Sequence, residues 1–255
     1  MPTPDTAMNL LKNVRKYIFE HFEEHATAPV LEQIMQKFGL DRTSAFNVLV
    51  ELQSARHITL LPGTQRILMA FPFSNIVTPF RVRIAGKDRD YFANCAWDAV
   101  AIHVALGKEQ WISSYCHHCA EDIKIHLRGQ RMVSQGSHSR PLIYLALPAA
   151  RWWENIVLTC SNNMVFFSSK DHLAEWMRTG SVTGGEALTI DQTLRLSVPI
   201  YKEKMSRDYA RPSREQTIAH FQSLGLTSDF WKIYRFRLLS ENSAILSLLS
   251  DGRAC

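Results

Sequence analysis

Arg89-Asp90-Tyr91-Phe92-Ala93-Asn94-Cys95-Ala96-Trp97-Asp98 turns a strand into a helix, and the rest of the chain is best read outward from it. Arg89 to Phe92 reads as the incoming strand, and the apolar run from Ala96 to Leu106 as the outgoing helix. Asn94 is the expected N-cap. Cys95 then falls in the first turn, where unpaired N–H groups and the helix dipole favour a thiolate. Asp98, three residues on, shares a helix face with that sulfur. A thiol and a carboxylate in mutual reach form a proton-transfer pair. The alternative is a buried structural cysteine beside an ordinary first-turn aspartate.

Downstream, Leu106-Gly107 ends the helix. Trp111 to Tyr115 and Ile123 to Leu127 read as strands flanking Cys116-His117-His118-Cys119. Residues 128–139 read as loop and Leu142 to Leu147 as a strand. A short helix opens at Pro148-Ala149-Ala150 and carries Trp152 and Trp153. Ile156-Val157-Leu158-Thr159-Cys160 reads as a strand, Ser161-Asn162-Asn163 as a turn and Met164 to Phe167 as apolar chain. Ser169 caps a helix through Trp176 and Met177. A longer helix is expected from Glu186, kinked or interrupted at Pro199, and the tail from Ser213 to about Leu249 reads as two or three helical pieces.

Upstream, residues 7–25 place Met8, Leu10, Leu11, Val14, Tyr17, Ile18 and Phe22 at helical spacing. A second helix, about 29–37, stops at Gly39, and Asp41 caps a third from Arg42. A hairpin follows around Pro62-Gly63-Thr64. Three helices and a hairpin make a winged-helix-like pattern. Such modules often bind DNA, but the face of the third helix (Arg42, Ser44, Asn47, Glu51 and Ser54) is nearly neutral, so packing against the rest of the chain is the favoured reading. The whole is α+β in class, with strands and helices in no strict alternating order after residue 75.

The chain has 255 residues, 46% of them hydrophobic, enough to build a packed core. No apolar run is long enough for a membrane span, and no basic segment precedes an apolar block at the N-terminus. With five cysteines, the expected compartment is the reducing cytoplasm. The net charge of +5 comes without a dense Lys/Arg block and fits solubility as well as nucleic acid. Phosphate loops, G-x-S-x-G and H-E-x-x-H are absent, so phosphoryl transfer, serine hydrolysis and zincin chemistry lose their usual signals.

The cysteines carry the remaining chemistry. Were Cys95 and Cys160 to meet through the fold, two thiols and the Asp98 carboxylate would suit a soft, thiophilic ion. Locally, Cys160 reads as a core strand residue. Cys116-x-x-Cys119 is half a zinc site without a second Cys pair. His21, His25, His126 and His138 are scattered, so loop-closing or packed cysteines are the favoured reading there. Cys255 is the terminal residue.

Several of these pieces occur in order. They are the N-terminal winged-helix-like segment, Phe71-Pro72-Phe73-Ser74 with Thr78-Pro79, Cys95-Ala96-Trp97-Asp98, Ser113-Ser114-Tyr115-Cys116, Thr159-Cys160, and Phe166-Phe167-Ser168-Ser169 with Trp176. In that combination, over roughly residues 25–190, the chain resembles the alkylmercury (organomercurial) lyase family. The chain is accordingly divided into a winged-helix-like domain (1–75), a catalytic α+β domain that is lyase-like by this resemblance (76–204), and a helical C-terminal extension (205–255), which lies outside the resemblance. The resemblance implies protonolysis of a carbon–mercury bond, giving a hydrocarbon and Hg(II). Cys95 would bind mercury as thiolate and Cys160 would supply the second sulfur. Asp98 would take up a thiol proton and deliver it to the leaving carbon. No organic cofactor is implied: mercury is substrate and product, excess thiol aids release, and a mercury-accepting thiol or reductase is the onward partner. Trp97, Trp152 and Trp153 are read as core aromatics, with a pocket wall as the alternative. A non-catalytic, soft-metal binding or sensing protein on the same scaffold is the competing reading.

Overall fold

The computed structural model describes residues 4–133, 140–180 and 182–233. His138, Cys255 and the expected helical pieces beyond residue 233 lie outside them.

The chain opens with α1 (Pro4–His25), which buries Val14, Ile18, Phe19 and Phe22 on one stripe. α2 (Leu31–Phe38) ends at Gly39 in the left-handed conformation, and α3 (Arg42–Ser54) starts at Asp41, whose side chain accepts the Ser44 N–H. Strands β1 (Ile58–Leu60), β2 (Ile67–Ala70) and β3 (Phe73–Ser74) form a small antiparallel sheet. This segment is packed against the rest. The Tyr91 hydroxyl donates to the Glu23 carbonyl at 2.5 Å, Phe22 stacks on Phe73, and Arg15 donates to the carbonyl of Lys204 at 2.9 Å.

β4 (Arg81–Ile84), β5 (Asp90–Phe92), α4 (Ala96–Leu106), β6 (Gln110–Tyr115), β7 (Asp122–Arg128) and β8 (Arg131–Val133) follow. The five strands form one antiparallel sheet in the order β5-β4-β6-β7-β8. Alternation decides which side faces inward. Val82, Ile84, Ile112, Ile123, Ile125 and Leu127 are buried, while Arg81 and Arg83 face out and pair with Asp90. α4 is apolar almost all round, and it is buried almost all round.

β9 (Leu142–Leu145) leads through a short 3-10 turn to α5 (Ile156–Asn163), β10 (Met164–Phe167), α6 (Lys170–Thr179), β11 (Glu186–Thr189), α7 (Ile190–Tyr201) and α8 (Arg214–Ser223). β10 and β11 flank β9, both antiparallel to it. α4 packs against α7, β10 and β6.

Three expectations are corrected. Arg131–Val133, expected as loop, is instead strand β8, paired antiparallel with β7. Residues Ile156 to Cys160 are helical, not a strand: the Asn155 side chain caps the Leu158 N–H at 3.1 Å, and the helix outlasts the β-branched run. The helix expected from Glu186 begins at Ile190, because Glu186–Thr189 pairs with β9 and Thr189 with Gln192 forms a capping box. Pro199 sits near the end of α7, which continues to Tyr201.

Candidate active site

Cys95 stands where β5 gives way to α4. It, rather than Asn94, is the N-cap: its backbone is extended, and its sulfur accepts the Asp98 N–H at 3.3 Å. The helix starts one residue later than the Asn94 cap would require. Asn94 instead turns inward, donating from Nδ2 to Asp98 Oδ2 at 3.1 Å and to the Pro72 carbonyl at 3.2 Å. The other carboxylate oxygen of Asp98 accepts the Tyr201 hydroxyl at 2.8 Å, from the end of α7. The Trp97 indole N–H donates to Ser197 Oγ at 2.8 Å and ties α4 to α7.

α5 brings Cys160 to the same place. A sulfur of Cys95, a sulfur of Cys160 and a carboxylate oxygen of Asp98 all lie within 4.8 Å of one another. Met164, first residue of β10, sets its thioether 3.8 Å from the Cys95 sulfur. The three groups are almost fully buried, at 1%, 3% and 3% exposure for Cys95, Asp98 and Cys160. Ser161, the next residue along, is exposed.

Burial sets the protonation pattern. It pushes the Cys95 thiol well up, and the hydrogen bond to Cys160 and the negative charge of Asp98 add to the rise. The helix-start position alone favours a thiolate, but here desolvation outweighs it. Cys160 is pulled down by its hydrogen bond from Cys95, yet burial and Asp98 leave it raised. Burial also lifts the Asp98 carboxyl, to about 6, against hydrogen bonds from Tyr201, Asn94 and Cys95 and the positive charge of Lys204. At neutral pH the resting site is therefore two thiols beside one carboxylate that is ready to take a proton.

The cluster opens into a cavity of ≈ 490 Å³. Trp97, Trp152, Trp153 and Phe71 line it, with Cys95, Asp98 and Cys160 in its wall. The three tryptophans thus make a pocket surface, and the Trp97 and Trp152 rings meet edge to face at 5.2 Å. Arg56 and Arg211 also line the cavity, each 4.8 Å from the Trp153 ring centre. Lys204 is fully buried, without a hydrogen bond to its Nζ among the described residues, and rests over the rings of Tyr209 and Phe19.

Tyr201, Met164 and Lys204 are not singled out by sequence. Tyr201 lies 103 residues from Asp98, so no local pattern joins them. Of the histidines weighed as partners for Cys116 and Cys119, His126 bonds Glu109 at 2.5 Å and stacks on Trp111, while His21 and His25 lie together on α1. The partner is His172 of α6, with Nδ1 at 3.6 Å from Cys116 and 3.5 Å from Cys119.

Two soft sulfurs and one carboxylate, buried beside the aromatic part of the cavity wall, suit a thiophilic metal attached to an organic group, and not a hard cation. The family model described as alkylmercury lyase (MerB) matches residues 73–202, which span every element that builds this cluster. The chain belongs to the alkylmercury lyase family. Among solved structures, the mercury-bound form of MerB2 is similar in fold, with a TM-score of 0.62 at 22% sequence identity, covering 77% of this chain and 91% of that one. No curated protein matches the chain.

Proposed function

We propose that this chain is an organomercurial lyase in which Cys95, Cys160 and Asp98 carry the reaction. The convergence of those three groups within 4.8 Å on one cavity is the observation that supports it. The substrate enters as R–Hg–X, with X a thiolate. Cys95 displaces X, and its thiol proton leaves with X as a free thiol. Cys160 then adds to mercury and its proton passes to Asp98. Two sulfurs push electron density onto mercury and make the bound carbon more basic. Asp98 gives its proton to that carbon as the carbon–mercury bond breaks, leaving R–H and Hg(II) held by two thiolates. Protons and charge balance, and no organic cofactor is needed. Excess small thiol, or a thiol of a partner protein such as a reductase, removes the metal.

The division into residues 1–75, 76–204 and 205–255 belongs to this reading. We take α1–α3 and β1–β3 as a winged-helix-like module with a packing role. Arg42, the strongest phosphate contact on its α3 face, is already engaged by Glu32 and by Gln65 at 2.6 Å. A nucleic-acid partner is not part of the proposal, and a cytoplasmic setting, where free thiols persist, is. No helix among the described residues is long and apolar enough to cross a membrane.

The experiment is incubation of the full chain with methyl- or phenylmercury and excess thiol. Methane or benzene should accumulate over many turnovers. Tight Hg(II) or organomercury binding with no hydrocarbon would replace the lyase reading by the metal-binding one.

A further inference from the structure

At the far end of β10 from the Cys95 site, a second cluster of ligand-type side chains assembles. Single ligand atoms from Cys116, Cys119, Glu121 and His172 all lie within 4.8 Å of one another. Their support comes from three places. Cys116 directly follows β6, and its N–H donates to the Glu121 carbonyl at 2.8 Å, while the Ala120 N–H donates back to the Cys116 carbonyl at 2.8 Å. That turn is bound to β10 through the His117 N–H and the Phe166 carbonyl at 2.9 Å. His172 sits in the first turn of α6, its N–H held by the Ser169 cap at 3.1 Å.

The separations measured from His172 match one geometry. A tetrahedral zinc ion with Zn–S of about 2.3 Å and Zn–N of about 2.0–2.1 Å sets sulfur and nitrogen about 3.5 Å apart, and nitrogen and carboxylate oxygen about 3.4 Å apart. Here His172 Nδ1 lies 3.6 Å and 3.5 Å from the two sulfurs and 3.5 Å from Glu121 Oε1. The Ser168 N–H points at the Cys116 sulfur from 3.5 Å, the kind of outer bond that steadies a metal-bound thiolate. Ser168 Oγ holds His172 Nδ1 at 2.7 Å and would yield that nitrogen to an ion.

We propose that Cys116, Cys119, His172 and Glu121 form a four-coordinate site for a zinc-class divalent cation, separate from the Cys95–Asp98–Cys160 cluster. All four positions are protein ligands, so the site is structural in type, with no open position for substrate. The ion staples the turn between β6 and β7 to the start of α6. Met164 touches the Cys95 sulfur and the Ser168 N–H the Cys116 sulfur; four extended steps of about 3.3 Å separate those two residues, about 13 Å, too far for the clusters to share one ion.

The test uses the full chain purified in reductant, with zinc measured by elemental analysis and cobalt(II) as spectroscopic probe. Cys119→Ser is the first variant, because Cys119 is exposed and its loss leaves the core intact. His172→Gln is the second. The intact chain should hold about one zinc per chain, and cobalt should give thiolate charge-transfer bands with tetrahedral d–d bands. Both variants should lose the zinc and those bands, and zinc should raise the melting temperature of the intact chain alone. The proposal is overturned if the reduced chain takes up neither ion. It is equally overturned if both variants keep the ion, which would place it at Cys95 and Cys160, or if thiol counting finds a Cys116–Cys119 disulfide with zinc present.

Discussion

In the proposed reaction Asp98 is the proton carrier, and its environment then dictates a pH profile. In that role it must be a carboxylate to accept a thiol proton, and burial lifts it to about 6. The rate constant kcat/KM should therefore fall as pH drops through about 6, roughly tenfold per unit below that. Tyr201 donates to the charged form, so Tyr201→Phe should move this limb to higher pH, as a pH–rate profile of both enzymes will show. A limb that stays in place would detach Tyr201 from Asp98. The sign for stability runs the other way. A carboxyl raised from 3.8 to about 6 in the folded state adds stability below pH 4, and this is lost as pH rises through about 6. Asp98→Asn should thus be inactive, and its stability should lose the pH dependence between about 4 and 6 that the intact chain shows, measured by denaturant titration across that range. Cys95 and Asp98 are legible from sequence because they lie within one helical turn. Their protonation is not, because it comes from burial by segments far away in the chain.

Among the elements, α4 is the most readable. A run apolar on every side must be buried, and Gly107 marks its end. α5 is the least readable. Its opening residues, Ile156 and Val157 with Thr159, favour a strand locally; the Asn155 cap and packing of Ile156 and Val157 against the core favour helix instead. That cap gives a prediction. Asn155→Ala should cost about 1 kcal/mol in chemical denaturation, and lower activity more than stability if the first turn of α5 positions Cys160. Cys160 reaches Cys95 because the chain turns directly from α5 into β10, which packs on α4. The Cys116-x-x-Cys119 motif is visible in sequence, but its histidine is not. His172 lies 53 residues beyond Cys119 and arrives on α6, across from the turn that carries the cysteines.

For the whole molecule, the cavity is a joint product of segments remote in sequence. Arg56 comes from the N-terminal segment, the cysteines from the centre, and Arg211, Phe221 and Ile233 from the C-terminal part. The α+β class and the order of most elements follow from periodicity, whereas this convergence does not. It rests on contacts such as Phe221 against Trp231, with ring centres 5.1 Å apart, and Trp152 beside both. Phe221 is 1% exposed, so Phe221→Ala should cost about 3–5 kcal/mol by denaturant unfolding. It should also weaken activity with bulky organomercurials and small ones alike, since it breaks the wall rather than the thiol cluster.

The most direct test of the central claim is hydrocarbon release from methylmercury with excess thiol, followed by headspace gas chromatography for the intact chain and for Cys95→Ser, Asp98→Ala and Cys160→Ser. If two sulfurs and one carboxylate act together, methane forms with the intact chain and falls at least about a hundredfold in each variant. Methane production by Cys160→Ser at the rate of the intact chain would contradict the account.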